Sequence, residues 1–252
     1  MSRIEGLPFL RRSTLDQLPE WLSVACSVGA FILLDKPRYW SSFDTVRFLR
    51  RLLGLRRIGH AGTLDPLATG LLILGIGRAT RLLPTFQRMP KTYVTRMKLG
   101  AITATDDAEA PEQPICSELT VTEAEFRQLL ERFRGTIEQV PPQYSAVHHG
   151  GKRLYELARA GISVSPLPRT VHIAELELTR WEPPFAELFT VCSTGTYVRA
   201  LVRDLGAAAG CGAYVVELRR LAIGPYHVDD AVSPDELSQA IAQQHARLHP
   251  LV

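Results

Sequence analysis

GHAGTLDPLATGLL, residues 59–72, is the stretch of this sequence that constrains its fold and function most. Three glycines, one proline and two threonines between Gly59 and Gly70 predict a loop with an irregular backbone. The loop contains a single carboxylate, Asp65. An aspartate before a proline is an ordinary turn former, so this motif alone does not establish a reactive group. Irregular loops on a rigid scaffold are nevertheless common places for function.

The charges around Asp65 are strongly one-sided. From Thr45 to Thr105 there are eleven basic residues and one acid, Asp65, so this window has a net charge of +10. The whole chain carries only +3, and the remainder therefore carries −7. The basic window indicates a polyanionic partner for one face of the protein, and a solvated basic surface is the alternative. A carboxylate among so many cations is expected to stay ionised and available as a nucleophile.

Apolar periodicity and turn residues place the loop within a mixture of helices and strands. β-Branched and apolar runs predict strands at 31–35, 91–99, 169–178, 187–193 and 213–223. Helical spacing between capping residues predicts helices at 41–53, 122–134, 153–160, 197–209 and 234–247. This irregular order favours an α+β fold with a mixed, largely antiparallel sheet over a regular βαβ alternation.

Composition and missing motifs exclude several classes of protein. With 46% hydrophobic and 22% charged residues, the 252-residue chain is neither disordered, collagen-like nor a coiled coil. The apolar stretch 22–34 is too short to span a bilayer and lacks a small-residue cleavage site, so we expect no membrane segment. The four cysteines form no CxxC pair, and the HExxH and GxxxxGK[ST] motifs are absent. We therefore expect reduced thiols, no metal and a cytoplasmic location.

The loop and five further segments, taken together, resemble the bacterial TruB family of tRNA pseudouridine synthases. The segments occur in the family's order and are LLDKP (33–37), KTYVTRMKLG (91–100), PPQYSAVHHGGKRLYELARAG (141–161), CSTGTYVRALVRDLG (192–206) and CGAYVVELRRLAIGPY (211–226). The resemblance covers about residues 31–230. One long loop with five ordered segments is far more specific than a single short motif.

The resemblance implies the pseudouridine synthase fold and a reaction on tRNA. Such enzymes isomerise one uridine of the T-loop, position 55 by tRNA convention, to pseudouridine. The uracil is detached from C1′ of the ribose, turned and rejoined through C5. The target base has to leave the stack, because a stacked base hides its glycosidic bond. The implied partner is the T-arm of tRNA, and no redox cofactor or metal is implied.

Three positions match catalytic residues of the family. Asp65 resembles the catalytic aspartate, which attacks C1′ of the sugar, attacks C6 of the base or assists glycal formation, and the sequence leaves these three routes open. Tyr93 matches a tyrosine that packs on the target base. Arg199 matches the arginine that pairs with the aspartate and keeps it ionised and oriented. Without the resemblance, Tyr93 would be an ordinary strand aromatic and Arg199 an arginine on a helix face.

Six further positions are predicted to bind the substrate. His60 matches a histidine that takes part in extracting the target nucleotide. Lys36 and Leu218 match other pocket positions, with Leu218 as an apolar wall. The set is completed by Arg57, Gly62 and Thr63. The arginine-rich segment 47–57 is expected to face the RNA backbone, since contacts to phosphates favour arginine and lysine.

The sequence departs from the family pattern in several places. The family usually has KPxG where this chain has Lys36-Pro37-Arg38-Tyr39, so we expect the backbone at Tyr39 to avoid a conformation that only glycine adopts. Ala104 stands where an acid is frequent, and Asp107 matches the more constant acid.

We predict an N-terminal extension (1–30), a catalytic domain (31–230) and a short C-terminal helix and tail (231–252) without a full PUA-type RNA-binding domain. We also expect a monomer.

Two other functions are compatible with the sequence. One is a non-catalytic tRNA-binding or tRNA-folding protein on the same fold. The intact trio Asp65, Tyr93 and Arg199 argues against it, because binding alone does not require these residues. The other is a pseudouridine synthase that acts on a different RNA, either ribosomal or selected by a guide RNA.

Overall fold

The computed structural model describes residues 6–145, 148–149, 151–162, 164 and 166–248. The chain forms two compact units, which we describe separately. The first unit comprises residues 1–91 and 219–252, and the second comprises residues 92–218. Parts of the predicted segment 141–161, and the ends of the predicted extension and tail, lie outside the described residues.

Helices and strands alternate irregularly along the chain, as the sequence predicted. The first stretch forms β1 (Phe9–Leu10), α1 (Leu18–Ser27), β2 (Gly29–Lys36), α2 (Ser42–Leu53), β3 (Ile58–His60), β4 (Thr69–Gly77) and α3 (Leu83–Gln87). The middle stretch forms β5 (Lys91–Leu99), β6 (Ala101–Thr103), β7 (Glu112–Pro114), α4 (Glu123–Glu131), β8 (Gly135–Gln139), β9 (His148–His149), β10 (Lys152–Arg153), α5 (Leu154–Arg159), β11 (Arg169–Glu182), β12 (Phe185–Cys192) and α6 (Val198–Ala208). The last stretch forms β13 (Ala213–Ile223), β14 (Tyr226–His227) and α7 (Pro234–Leu248).

The sheet of the first unit is built on the pairing of β2 with β4. These two strands are antiparallel over their whole length, from Gly29 opposite Gly77 to Lys36 opposite Gly70. Strand β3 pairs antiparallel with β4 near its carboxyl end, at residues 74–76. Strand β13 pairs parallel with the first two residues of β4, 69–70. The segment 61–68 therefore leaves the sheet after β3 and returns to it at the start of β4.

Both faces of β2 and β4 are buried, which explains why these strands are continuous apolar runs. Alternate residues enter two separate hydrophobic clusters. One cluster holds side chains of β2 such as Ile32 and Leu34, together with residues of α1, α2 and α7. The other holds Phe31 and Leu33 with residues of α3. The predicted strand at 31–35 is confirmed and is fully buried as far as Leu34.

Helix α2 begins and ends where its capping residues predict. The Ser41 hydroxyl accepts the Asp44 N–H, and the Asp44 carboxylate accepts the Ser41 N–H, which closes a capping box. Gly54 ends the helix in a left-handed conformation, with φ of 67°. The helix turns Val46 and Leu49 into the core and leaves Arg47, Arg50 and Arg51 exposed.

The second unit is mostly antiparallel. Its strands follow the order β13, β5, β12, β11 and β8, and β11 pairs antiparallel with both β12 and β8. The capping box of Thr122 and Glu125 opens α4, as predicted. Strand β13 takes part in both units, because residues 213–218 belong to the second unit and residues 219–223 belong to the first. The predicted α+β class with a mixed, largely antiparallel sheet is confirmed.

The described part of the predicted N-terminal extension packs into the core of the first unit. β1 adds a parallel strand to the edge of β2. Leu18, Trp21 and Ala25 are buried on one side of α1. The Trp21 indole donates a hydrogen bond of 3.0 Å to the Phe31 carbonyl oxygen of β2. This segment therefore contributes to the stability of β2, the strand that leads to Lys36.

Substitution of Trp21 by alanine tests this contribution. Trp21→Ala should lower the free energy of unfolding by about 3–5 kcal/mol, because it opens a cavity and removes a buried hydrogen bond. The measurement is urea unfolding followed by far-UV circular dichroism. Ser23→Ala, at an exposed position of the same helix, should change the free energy by only about 0.5 kcal/mol. An unchanged midpoint for Trp21→Ala would show that the segment adds nothing to the fold.

Candidate active site

The loop that carries Asp65 is closed at its base and buried along its inner side. The Ala61 N–H donates to the Ile73 carbonyl oxygen at 2.8 Å, which extends the pairing of β3 with β4. The Ala68 N–H donates to the Asp65 carbonyl oxygen at 3.1 Å, which closes a turn. Leu64, Leu67 and Ala68 are buried, whereas the Asp65 side chain is partly exposed. The loop is thus anchored by its apolar residues, and Asp65 itself is only partly buried.

Ser42, the first residue of α2, holds the residue that precedes Asp65. Its hydroxyl accepts the Leu64 N–H at 2.8 Å and donates to the Leu64 carbonyl oxygen at 3.1 Å. Ser42 and Leu64 are both buried, so these bonds are shielded from water. One side chain therefore satisfies both polar backbone groups of Leu64, which would otherwise be buried without partners.

The residue that follows Asp65 is held from the end of β2. The Pro66 carbonyl oxygen accepts the Tyr39 N–H at 2.7 Å and faces the Lys36 ammonium at 3.4 Å. Lys36 is fully buried and also donates to the Pro37 and Trp40 carbonyl oxygens, at 2.9 and 2.6 Å. The structure therefore places Lys36, predicted to bind substrate, beneath the loop and against backbone oxygens.

Arg220 of β13 is the third anchor of the loop. Only 1% of it is exposed. Its guanidinium donates to the Leu71 carbonyl oxygen at 2.7 Å and to the Thr63 carbonyl oxygen at 3.4 Å. The backbones approach closely here: a Cβ on Gly70 would lie 2.3 Å from the Arg220 carbonyl oxygen, and Gly70 has φ of 105°. Glycine at position 70 is thus required for the pairing of β4 with β13.

The remaining predicted residues of this unit line the loop or its approach. Gly62 has φ of 89°, a conformation that side-chain-bearing residues rarely adopt. Thr63 is exposed. Arg57 is exposed just before β3, and its guanidinium donates to the Thr80 hydroxyl at 3.0 Å. Asp65, His60, Gly62 and Thr63 therefore lie within one short hairpin connection.

His60 ends β3, opposite Leu74 of β4. Burial lowers the pKa of its imidazole below the usual value, and the positive charge of Arg220 lowers it further. The imidazole is therefore neutral at neutral pH. A neutral ring can offer one donor and one acceptor to a base, whereas a charged ring offers donors only.

Eight exposed arginines surround this loop in the sequence of the first unit, at positions 47, 50, 51, 56, 57, 78, 81 and 88. Among the described residues, only Arg47 of this set forms an ion pair, with Asp44. The other seven have no carboxylate partner in the described part of the chain, so their positive charge is not neutralised locally. Such a surface attracts the phosphate backbone of a nucleic acid.

A cavity of about 430 Å³ opens next to Lys36 and the start of β4. Its walls include Trp40, Thr69 and Arg219. The Arg219 guanidinium forms a two-pronged pair with the Asp35 carboxylate, at 3.0 and 2.7 Å. This pair fixes Arg219 beside Asp35, near the carboxyl end of β2. The cavity therefore has a fixed, polar wall.

The second unit holds the other three predicted residues. Tyr93 lies on the buried face of β5, and 8% of it is exposed. Leu218 lies in β13 with 6% exposed. Arg199, in the first turn of α6, is also buried, with 4% exposed. All three side chains therefore occupy fixed positions within this unit.

Arg199 is held by acidic and carbonyl groups of its own unit. Its guanidinium lies 3.5 Å from the Asp107 carboxylate and donates to the carbonyl oxygens of Thr105 and Tyr144, at 2.8 and 2.9 Å. Asp107 is buried and also accepts the Thr105 hydroxyl at 2.6 Å. From the sequence, Asp107 is recognisable only as an acid that matches the family pattern. The structure gives it a function, which is to fix the guanidinium of Arg199.

The described residues contain no cluster of three or more histidine, cysteine, aspartate or glutamate side chains arranged to hold a metal ion. A search of the same residues for a long apolar helix able to cross a membrane also found none.

The chain resembles known proteins over most of its length. The family model described as TruB family pseudouridylate synthase (N terminal domain) matches residues 50–198, and the model described as tRNA pseudouridylate synthase B C-terminal domain matches residues 199–251. The chain is 46% identical over 217 residues to tRNA pseudouridine synthase B of Pseudomonas paraeruginosa, covering 86% of this chain and 71% of the relative. It is 42% identical over 220 residues to the protein of that name from an Arthrobacter species, covering 85% and 72%.

A solved structure also matches. A chain in the crystal structure of a Cbf5-Nop10-Gar1 complex superposes with a TM-score of 0.68 at 29% identity, over 86% of this chain. This chain spans somewhat more than half of that longer one, 56%. The fold and the site thus define an enzyme of the pseudouridine synthase class. The chain belongs to the TruB family, whose matched relatives are tRNA-modifying enzymes.

Substitution of Ser42 tests whether the anchors of the loop support turnover. Ser42→Ala removes both hydrogen bonds to Leu64 and should lower kcat by roughly tenfold to a hundredfold, since a displacement of about 1 Å in a reacting group has such effects. Ser41→Ala is the matched control: it removes the cap of α2, at a cost of about 1 kcal/mol in stability, and no bond to the loop. Equal kcat values for both variants would contradict the role of Ser42.

The lowered pKa of His60 predicts a loss of stability in mild acid. Below the ordinary histidine pKa of 6.5, the unfolded chain takes up a proton that the folded chain resists, so the free energy of unfolding falls as pH drops towards the lowered pKa. His60→Gln should lose less stability than the wild type between about pH 7 and pH 5 in urea unfolding. His172→Gln, at an exposed position, should follow the wild type. Parallel curves for His60→Gln and the wild type would contradict a histidine held neutral by burial.

Proposed function

We propose that this enzyme isomerises uridine-55 in the T-loop of tRNA to pseudouridine, with Asp65 as the essential residue. The observation that carries the proposal is the anchored loop: donors from α2, β13 and the end of β2 hold the backbone at Leu64, Thr63 and Pro66, while Asp65 between them is only partly buried. The relatives named tRNA pseudouridine synthase B support the choice of substrate.

The reaction needs little besides a fixed carboxylate and an extracted base. The N1–C1′ bond breaks, the uracil turns, and a C5–C1′ bond forms while the proton leaves C5 and N1 gains one. Asp65 acts by attack at C1′, by attack at C6 or by assisting glycal formation. A carboxylate whose backbone is already fixed loses little entropy when it reacts, which favours each of these routes.

We assign Tyr93, Arg199 and Leu218 to the same reaction. Tyr93 packs on the target base and takes part in removal of the C5 proton. Arg199 keeps the catalytic Asp65 charged, and Leu218 forms an apolar wall of the pocket. Their burial supports these roles, because groups that position a substrate have to be held rigidly. The network around Arg199 supplies such rigidity.

We assign RNA binding to the basic surface and to the residues at the mouth of the loop. The exposed arginines, Arg57 among them, bind phosphates of the T-arm. His60, in its neutral form, takes the place vacated by the flipped nucleotide, with Gly62 and Thr63 beside it. Lys36 contributes indirectly, because its ammonium holds the Pro66 carbonyl oxygen of the loop. We propose that the enzyme acts as a monomer in the cytoplasm.

Asp65→Asn tests the central assignment. This substitution keeps the size of the side chain and removes its charge, so it should abolish tritium release from a T-arm RNA labelled at C5 of uridine while leaving RNA binding intact. Tritium release reports the reaction because the C5 proton has to leave when the C5–C1′ bond forms. Asp16→Asn changes an exposed aspartate of the same unit and should keep full turnover.

Two outcomes would overturn the proposal. Turnover retained by Asp65→Asn would exclude this aspartate as the essential residue. Release of tritium by the wild type from ribosomal RNA but not from a T-arm RNA would exclude the proposed substrate.

A further inference from the structure

Tyr39 combines an exposed aromatic ring with a backbone conformation that favours glycine. It lies between β2 and α2, with 71% of its surface exposed and φ of 68°. The backbone here lies in the left-handed region, which is open to residues with a side chain but which a tyrosine enters only at a cost. Because the ring is mostly exposed, its burial offsets little of this conformational free energy. An exposed aromatic at a strained position is a feature that function, rather than folding, explains.

The position of Tyr39 is fixed relative to the catalytic loop. Its N–H donates to the Pro66 carbonyl oxygen at 2.7 Å, and Pro66 directly follows Asp65. On either side, the Pro37 and Trp40 carbonyl oxygens are held by the buried Lys36 ammonium. The ring therefore projects into solvent from a backbone that is anchored to the loop and to the end of β2.

The surroundings of Tyr39 are suited to RNA. The Arg38 guanidinium lies 5.1 Å from the centre of the Tyr39 ring. A second exposed aromatic, Phe43, follows in the first turn of α2 with 57% of its surface exposed, and the Arg50 guanidinium lies 5.9 Å from its ring. Exposed rings interleaved with arginines form the typical surface for unpaired nucleotides, because bases stack on the rings and phosphates bind the cations.

We propose that Tyr39 is a stacking platform for an unpaired base of the substrate RNA that flanks the target uridine, an inference that rests on the proposed function. The hydrogen bond between Tyr39 and Pro66 sets the distance between the platform and Asp65. A base stacked on Tyr39 thus places the neighbouring nucleotide near the carboxylate. The platform contributes to RNA affinity, and it takes no part in bond making or breaking.

The test measures Kd of a T-arm stem-loop RNA and kcat at saturating RNA. Tyr39→Ala and Tyr39→Gly should each raise Kd by on the order of tenfold, as expected for the loss of one base–aromatic stack, and leave kcat within about twofold. Tyr39→Gly should also raise the melting temperature, because glycine relieves the left-handed strain. Tyr39→Phe keeps the ring and should keep the affinity. Val28→Ala changes an exposed apolar residue of the same unit and is the matched control.

RNAs with single abasic nucleotides identify the stacked base. At one loop position, loss of the base should cancel the effect of Tyr39→Ala, because both changes remove the same contact. Wild-type Kd for Tyr39→Ala, or an effect that no abasic position cancels, would overturn the inference. If the wild type released no tritium but the cancellation held, the proposed function would fail and the stacking platform would stand.

Discussion

The structure depends on how the backbone on both sides of Asp65 is held. Three elements converge on the loop: α2 through the Ser42 hydroxyl, the end of β2 through Lys36 and the Tyr39 N–H, and β13 through Arg220. A loop of this composition would be mobile in isolation, and its inward carbonyl oxygens would be buried without partners. Each converging donor removes one such penalty, and together they place the partly buried Asp65 between two fixed peptide units.

Under the proposed function, this arrangement lets one carboxylate, that of Asp65, act as the essential group. Rigid placement before the substrate arrives means that little reorganisation is needed during the reaction. The RNA has to deform instead, because its target base must leave the stack to reach a fixed group. In the proposed complex, the exposed arginines and the platform at Tyr39 would provide binding free energy for that deformation. Arg199, fixed by the buried Asp107, follows the same principle in the second unit: the side chain is positioned by the protein and not by the ligand.

The sequence predicts the elements well and the side-chain partners poorly. Helix α2 and strands β2, β5 and β13 follow from caps and apolar runs, because those signals are local. The roles of Ser42 and Arg220 do not follow, because they arise from contacts 22 and 157 residues apart in the chain. In sequence Arg220 is one of two adjacent arginines, and nothing local shows that it is buried and Arg219 partly exposed. Helix α1 was missed because the extension shows no family motif, and its structural contribution depends on packing against β2.

Amide hydrogen exchange at Leu64 and Ala61 in the free protein tests the anchored loop most directly. If the loop is held before RNA binds, both amides should exchange as slowly as those of β4, because each donates to a fixed acceptor in the core. Exchange at the rate of an unstructured peptide, with β4 still protected, would show that the loop is ordered only by the substrate and would contradict the account.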